Sequence, residues 1–335
     1  MTLPTRPLGT TGLDITPVGF GAWAIGGGGW SYGWGPQDDA ESIAAMQHAV
    51  ERGINWIDTA AIYGLGHSEE VVGTLLKGMK PAERPLVFTK CGLVWDDKDR
   101  MKDAKRILAP ASIRAECEAS LRRLGIERID LYQFHWEDES GVAVEDSWAT
   151  MLKLVEEGKV RVGGVSNFAV ATLDRCEKLG HVGSLQPPFS LIRRNAGETV
   201  IPWCAAHSTG VIVYSPMQSG ILNDGFGLER VTQLAPDDWR RKTREFNPPN
   251  VHNNIALRDA LKPIAERHMT TVASIAVAWT LAWPGVSGAI CGARSAEQVD
   301  GWVGAATVKL TPADLIEIEG AVKKTGAGTG PVRTA

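Results

Sequence analysis

The sequence predicts an α/β protein, a (β/α)8 barrel with an N-terminal β-hairpin and a long loop after the seventh strand. Two observations carry this. Eight short apolar runs recur along the chain, most of them followed by an amphipathic helical pattern that stops at a glycine. No linker divides the series, so residues 1–335 read as one barrel domain rather than two separate ones.

The elements follow in order. RPLG from Arg6 and DITPV from Asp14 form the hairpin. The strands are VGFG from Val18, NWIDT from Asn55, LVFTK from Leu86 and IDLYQFH from Ile129. They continue with RVGGVS from Arg161, SLQ from Ser184, GVIVYS from Gly210 and GAICG from Gly288. Helical patterns cover residues 40–53, 112–125, 144–158 and 171–180. Ser112 is a candidate cap for the second of these, with Glu116 in its first turn. Residues 311–323 form a terminal helix that opens on Thr311 and Pro312. Residues 220–254, rich in Gly, Pro, Asp and Arg, read as a structureless lid over the barrel mouth, with a disordered insertion as the alternative.

Composition narrows the function classes. The apolar fraction is 44%, and 35 basic against 39 acidic residues give a net charge of −4 without long blocks of one sign. That excludes a nucleic-acid surface and a polybasic membrane patch. No apolar run reaches the length of a membrane span, and the N-terminus carries no signal-peptide apolar region. The five scattered cysteines form no C-x-x-C pair, which points to a reducing cytoplasm and to neither a metal site nor a disulfide frame. Several of the twelve tryptophans, among them Trp30, Trp34, Trp95 and Trp136, fall in loops where they can wall a pocket or simply pack.

Three consecutive strands end on polar groups: the second near Asp58, with Tyr63 in the following turn, the third at Lys90 and the fourth at His135. In a barrel these carboxyl ends gather on one face. A structural Asp–Lys pair beside a satisfied histidine is one reading; a catalytic constellation is the favoured one.

Around these residues the chain carries DTAxxYG from Asp58, GxSEExxG from Gly66, TK at Thr89 and YxxHW at Tyr132. GVSNF at Gly164, YSPM at Tyr214 and GARS at Gly292 follow. In this order the motifs resemble the aldo-keto reductases, in particular the bacterial and general-stress branch. The resemblance implies a nicotinamide-dependent carbonyl reductase. Tyr63 would be the general acid. Lys90 would lower the pKa of that phenol, ordinarily near ~10, Asp58 would hold Lys90, and His135 would orient the carbonyl.

The resemblance also implies a cofactor site. Gly21, Trp23 and Asp58 would contact the cofactor, whose nicotinamide carboxamide would bond Ser166, Asn167 and Gln186 while its ring stacked on Tyr214. Ser215, Pro216, Met217, Ser219, Gly220 and Leu222 would follow the pyrophosphate. Gly292, Ala293, Arg294 and Gln298 would take the adenosine end, where Arg294 at a helix start points to the 2′-phosphate of NADPH, with NADH as the second option. Trp30, Trp95 and Trp136 would join Tyr63 and His135 around a small-molecule carbonyl substrate.

Without the resemblance, Ser166 and Asn167 read first as turn residues; for Arg294 a solvated surface arginine is the alternative. The glycine-rich 26–29 stretch lacks the spacing of a dinucleotide fingerprint. Gly301 and Trp302 replace a Glu-Asn pair common in the family, and Glu137 replaces a common proline. Two other functions fit parts of the pattern: a Schiff-base lyase using Lys90, and a non-catalytic nicotinamide-binding regulatory subunit of the same fold.

Overall fold

The computed structural model of the protein describes residues 2–235 and 238–332. Eight parallel strands close into a barrel in sequence order: β1 Val18–Gly21, β2 Trp56–Asp58, β3 Leu86–Cys91 and β4 Ile129–Phe134, then β5 Val160–Ser166, β6 Ser184–Gln186, β7 Gly210–Val213 and β8 Gly288–Gly292. The predicted fold class is the one observed, and every strand lies within or one residue beyond its predicted run.

Strand alternation divides the barrel interior into tiers. Trp56, Phe88, Leu131, Val162, Ile212 and Ile290 form an apolar tier. It exists because Gly19 has no side chain, since a Cβ there would lie 2.1 Å from the Trp56 ring. Below it the predicted hairpin, in which Arg6–Pro7 pairs antiparallel with Asp14–Ile15, plugs the barrel with Leu8, Leu13 and Ile15. Each of these three side chains is at most 1% exposed and contributes about 1.5–3 kcal/mol of apolar burial. Two residues further along the strands the tier turns polar. There Asp58 is level with Gly21 and Phe88, Lys90 with Gln133, and Gln186 with Ser166.

Helices α1 Asp39–Glu51, α2 His67–Lys77, α3 Pro110–Leu124, α4 Val144–Glu156, α5 Val170–Glu177 and α6 Val200–His207 pack outside. The helix α3 starts two residues earlier than predicted, on Pro110, with no side-chain cap; Ser112 lies inside its first turn and donates to Glu116 Oε1 at 3.0 Å. Glu116 therefore sits in the second turn, where its other oxygen accepts the Gly92 N–H at 2.9 Å.

The segment after β7 is not structureless. It carries α7 Leu228–Thr232 and two 3-10 turns, Trp239–Lys242 and Arg244–Phe246, before α8 Asn250–Ala260 begins; the stretch 236–237 lies outside the described residues. Apolar anchors spaced along it, Phe226, Leu234 and Phe246, are all buried and give it local order.

Helices α9 Lys262–Arg267 and α10 Val272–Ala282 lead into β8. After β8 the helix that Arg294 precedes is short, α11 Ala296–Asp300, followed by the 3-10 turn Val303–Ala306. The terminal α12 Pro312–Thr325 has a capping box between Thr311 and Asp314. A two-residue ribbon, Leu93–Val94 with Lys105–Arg106, rises beside the mouth and was not anticipated, being too short to show a period.

Candidate active site

The strand ends bring Asp58 and Lys90 together in full burial, at 2% and 1% exposure. Lys90 Nζ donates to Asp58 Oδ1 at 2.5 Å and to the Thr59 carbonyl at 2.9 Å. Asp58 Oδ2 accepts from Gln186 Nε2 at 2.8 Å. Burial pushes the carboxyl up and the ammonium down, each toward its neutral form, and their mutual contact opposes both shifts.

Tyr63 is fixed through its backbone. Its N–H bonds Ala60 O at 3.0 Å, and its carbonyl accepts from Ser68 N at 3.1 Å. Gly26 lies so close that a Cβ there would stand 2.8 Å from Gly64 N and 2.9 Å from Tyr63 C, so the glycine-rich stretch has a packing role at this turn. The ring packs edge-on to His135 at 5.7 Å and stacks with Trp23 at 6.2 Å between centroids.

Lys90 Nζ lies 5.2 Å from the centre of the Tyr63 ring. The expected lowering of the phenol pKa is not what the site produces. Burial first, then the charge of Asp58 and the neighbouring Tyr214, push it well above its ordinary value. Burial, with Lys90 and Arg106 nearby, holds His135 well below the ordinary histidine range, so its ring is neutral at neutral pH. Its Nδ1 is buried without a hydrogen-bond partner.

The remaining predicted residues fall in three groups. Ser166, Asn167, Gln186 and Tyr214 form a linked polar ridge. Ser166 Oγ donates to Gln186 O at 2.8 Å, and Asn167 Nδ2 donates to His135 O and to Ser166 Oγ at 3.0 Å each. Tyr214 donates to Asn167 Oδ1 at 2.9 Å. Ser166 and Gln186 are thus buried network members, and Gln186 points its nitrogen into the barrel at Asp58.

Beyond Tyr214 the chain turns through positive φ at Ser215, Gln218, Ser219 and Gly220 (56°, 44°, 52° and 99°). Pro216 and Leu222 are buried there, while Met217 is half-buried. Arg294, half-buried at the end of β8, donates from Nε to Gln37 Oε1 at 2.5 Å and from Nη1 to Trp34 O at 3.4 Å, and also to Pro36 O. All three acceptors are neutral. Gln298 is exposed, and its Oε1 accepts the Arg294 N–H at 2.9 Å.

The substrate-side tryptophans separate. Trp30 is 4% exposed, with its indole N–H on Gly27 O at 3.0 Å, so it anchors its loop. Trp95 is half-buried near Tyr63, in one cluster with Trp30 and Trp23. Trp136 lies under Arg106 at 4.4 Å.

Residues outside the predicted set also reach the mouth. Trp239 stacks on Trp23 at 5.5 Å and meets Trp34 edge-on at 5.8 Å, with Arg240 over the Trp34 ring at 4.5 Å. Nothing local in the sequence marks Trp239, because the long segment places it. Glu69, 0% exposed, bonds Thr89 Oγ1 at 2.5 Å and Arg123 Nε at 2.7 Å behind Lys90; its SEE context was quoted above, though without this partner.

A model of the aldo/keto reductase family matches residues 17–323. The chain belongs to the aldo/keto reductase family. It is 34% identical to the aldo-keto reductase YhdN of Bacillus subtilis over 87% of this chain and 85% of that protein. It is 33% identical to the NADH-specific methylglyoxal reductase of Escherichia coli over 92% and 95% of the two. Among solved structures, a glycerol dehydrogenase of Gluconobacter oxydans covers both chains completely, with 33% identity and a TM-score of 0.88. As an aldo/keto reductase, the protein is an oxidoreductase of carbonyl groups that uses a nicotinamide cofactor.

Gly292 is exposed, and a Cβ on it would meet only Gly21 O at 3.6 Å, so the rim between β8 and β1 is open.

Proposed function

We propose that the protein reduces aldehydes or ketones to alcohols, with Tyr63 as proton donor and NADPH as its preferred reductant. The observation that carries this is the buried Asp58–Lys90 pair beneath the neighbouring Tyr63 and His135 rings. The bound nicotinamide supplies the hydride. Tyr63, kept as a neutral phenol by burial, holds the proton that the developing alkoxide takes.

Lys90 has spent two of its three N–H groups on Asp58 and Thr59; the third is free to stabilise the phenolate left behind. Neutral His135 offers an N–H to the carbonyl oxygen. Asp58 and the Thr59 carbonyl hold the Lys90 ammonium in place, and it is the family match that argues against a Schiff-base lyase. The reductase and dehydrogenase names of the relatives argue against a non-catalytic subunit.

Asn167 and Gln186 would hold the carboxamide and Tyr214 the ring face, with Ser166 locking Gln186 in place. The positive-φ turn through Ser215, Ser219 and Gly220 would present backbone N–H groups to the pyrophosphate, alongside Met217 and Leu222. Arg294, a cation without a carboxylate partner among the described residues, favours the 2′-phosphate of NADPH. The NADH reading has its own support, because Arg294 is already engaged by the 34–37 loop and one relative is named NADH-specific. The names of the relatives favour small oxygenated substrates such as methylglyoxal, or glycerol in the reverse direction.

The test is the loss of reduced-nicotinamide absorbance across a panel of aldehydes and ketones, with NADPH and then NADH. Tyr63→Phe should lose about 10²–10⁴-fold in rate. Failure of every carbonyl to turn over, or an unchanged Tyr63→Phe rate, overturns the reading.

A further inference from the structure

The polar tier of the barrel holds one more side chain that the reaction proposed above does not use. Gln133 on β4 is 0% exposed and sits level with Lys90 on one side and Gly164 on the other. Two residues earlier on the same strand, Leu131 fills the apolar tier. The amide of Gln133 is therefore fully enclosed.

Its oxygen accepts from Gln186 Nε2 at 3.4 Å, the same nitrogen that donates to Asp58 Oδ2 at 2.8 Å. An amide has one acceptor end and one donor end. With the oxygen committed, Gln133 Nε2 is the free end. It is buried without a hydrogen-bond acceptor, so Gln133 reaches Asp58 through the Gln186 amide. Turning the amide over would set its nitrogen against the Gln186 nitrogen, donor facing donor, so Gln186 fixes the orientation.

We propose that Gln133 is a positioning residue of the proton-donating site: with Gln186, it holds Asp58 as a carboxylate aligned on Lys90. This rests on the reductase reading above. Asp58 is wholly enclosed, and losing the acceptor that aims the Gln186 nitrogen at it makes its charged form harder to keep. Protonation of Asp58 would deprive Lys90 of its counter-ion and Tyr63 of a neighbouring ammonium to receive its negative charge. The other titratable groups around this pair are Tyr63 after β2, His135 after β4, Tyr214 after β7 and Glu69 on α2.

The experiment is single-turnover reduction of a carbonyl by Gln133→Met, which keeps length and volume while removing the amide. The rate should fall about tenfold, carbonyl KM should stay within about twofold, and the acid limb of the pH–rate profile should move to higher pH. An unchanged rate, or a slower rate with an unmoved limb, overturns the proposal, the latter assigning Gln133 a packing role. Thermal unfolding reports whether the variant folds. If it does not, Gln133→Glu carries the test, because a second carboxyl beside Asp58 should move the limb in the same direction, and an unmoved limb overturns the proposal again. A wild type inactive on every carbonyl sinks the parent reading; an active wild type with an indifferent Gln133→Met sinks this one alone.

Discussion

Trp239 lies on Trp23 with ring centroids 5.5 Å apart and planes 25° from parallel, and Trp23 in turn stacks on Tyr63. The segment after β7 is thus joined to Tyr63, the proposed proton donor, by two aromatic contacts. Trp239→Ala should raise carbonyl KM several-fold and lower kcat less, since aromatic pairs contribute about 0.5–1.5 kcal/mol beyond area burial. Steady-state kinetics check this; a KM equal to wild type would place Trp239 outside the substrate path.

The buried Asp58–Lys90 pair predicts an asymmetry between single and double variants. Lys90→Met strands an enclosed carboxylate and should cost about 3–5 kcal/mol of unfolding free energy. Adding Asp58→Asn should restore a large part of it while leaving the enzyme inactive. Urea denaturation of both proteins decides the matter, and equal stabilities would mean that the pair is not enclosed as described.

His135 predicts a pH dependence of stability. Its folded pKa lies well below the unfolded value of about 6.5, so between the two the unfolded chain binds the extra proton. The stability associated with neutral His135 is present above about pH 6.5 and is lost as pH falls. Wild type should therefore lose more stability than His135→Asn between about pH 7.5 and 5.5. Parallel denaturation curves at the two pH values test this.

Arg294→Ala should weaken NADPH binding about tenfold or more and NADH binding much less, because only the former carries a 2′-phosphate. Quenching of tryptophan fluorescence in the absence of substrate measures both affinities. An equal loss for both cofactors would assign Arg294 to holding the 34–37 loop, whose Gln37 and Trp34 it already binds.

The barrel was legible because its strands are apolar runs with glycine-terminated helices between them, a signal that local sequence carries. The polar ends at Asp58, Lys90 and His135 were legible for the same reason, each closing an apolar run. Gln133 was not singled out, because a glutamine within IDLYQFH reads as an outward-facing residue until the barrel closes around it. Trp239 was hidden differently: it contacts Trp23 across 216 positions of sequence (239 − 23), and no local pattern encodes that. The direction of the Tyr63 shift was missed because burial depends on the whole mouth, whereas the sequence displayed only the nearby lysine.

The hairpin plug has a last consequence. With Leu8, Leu13 and Ile15 closing the end opposite the polar tier, the barrel is a cul-de-sac rather than a tunnel. Reductant, carbonyl and alcohol must all use one entrance, so whatever occupies the rim last decides what leaves first.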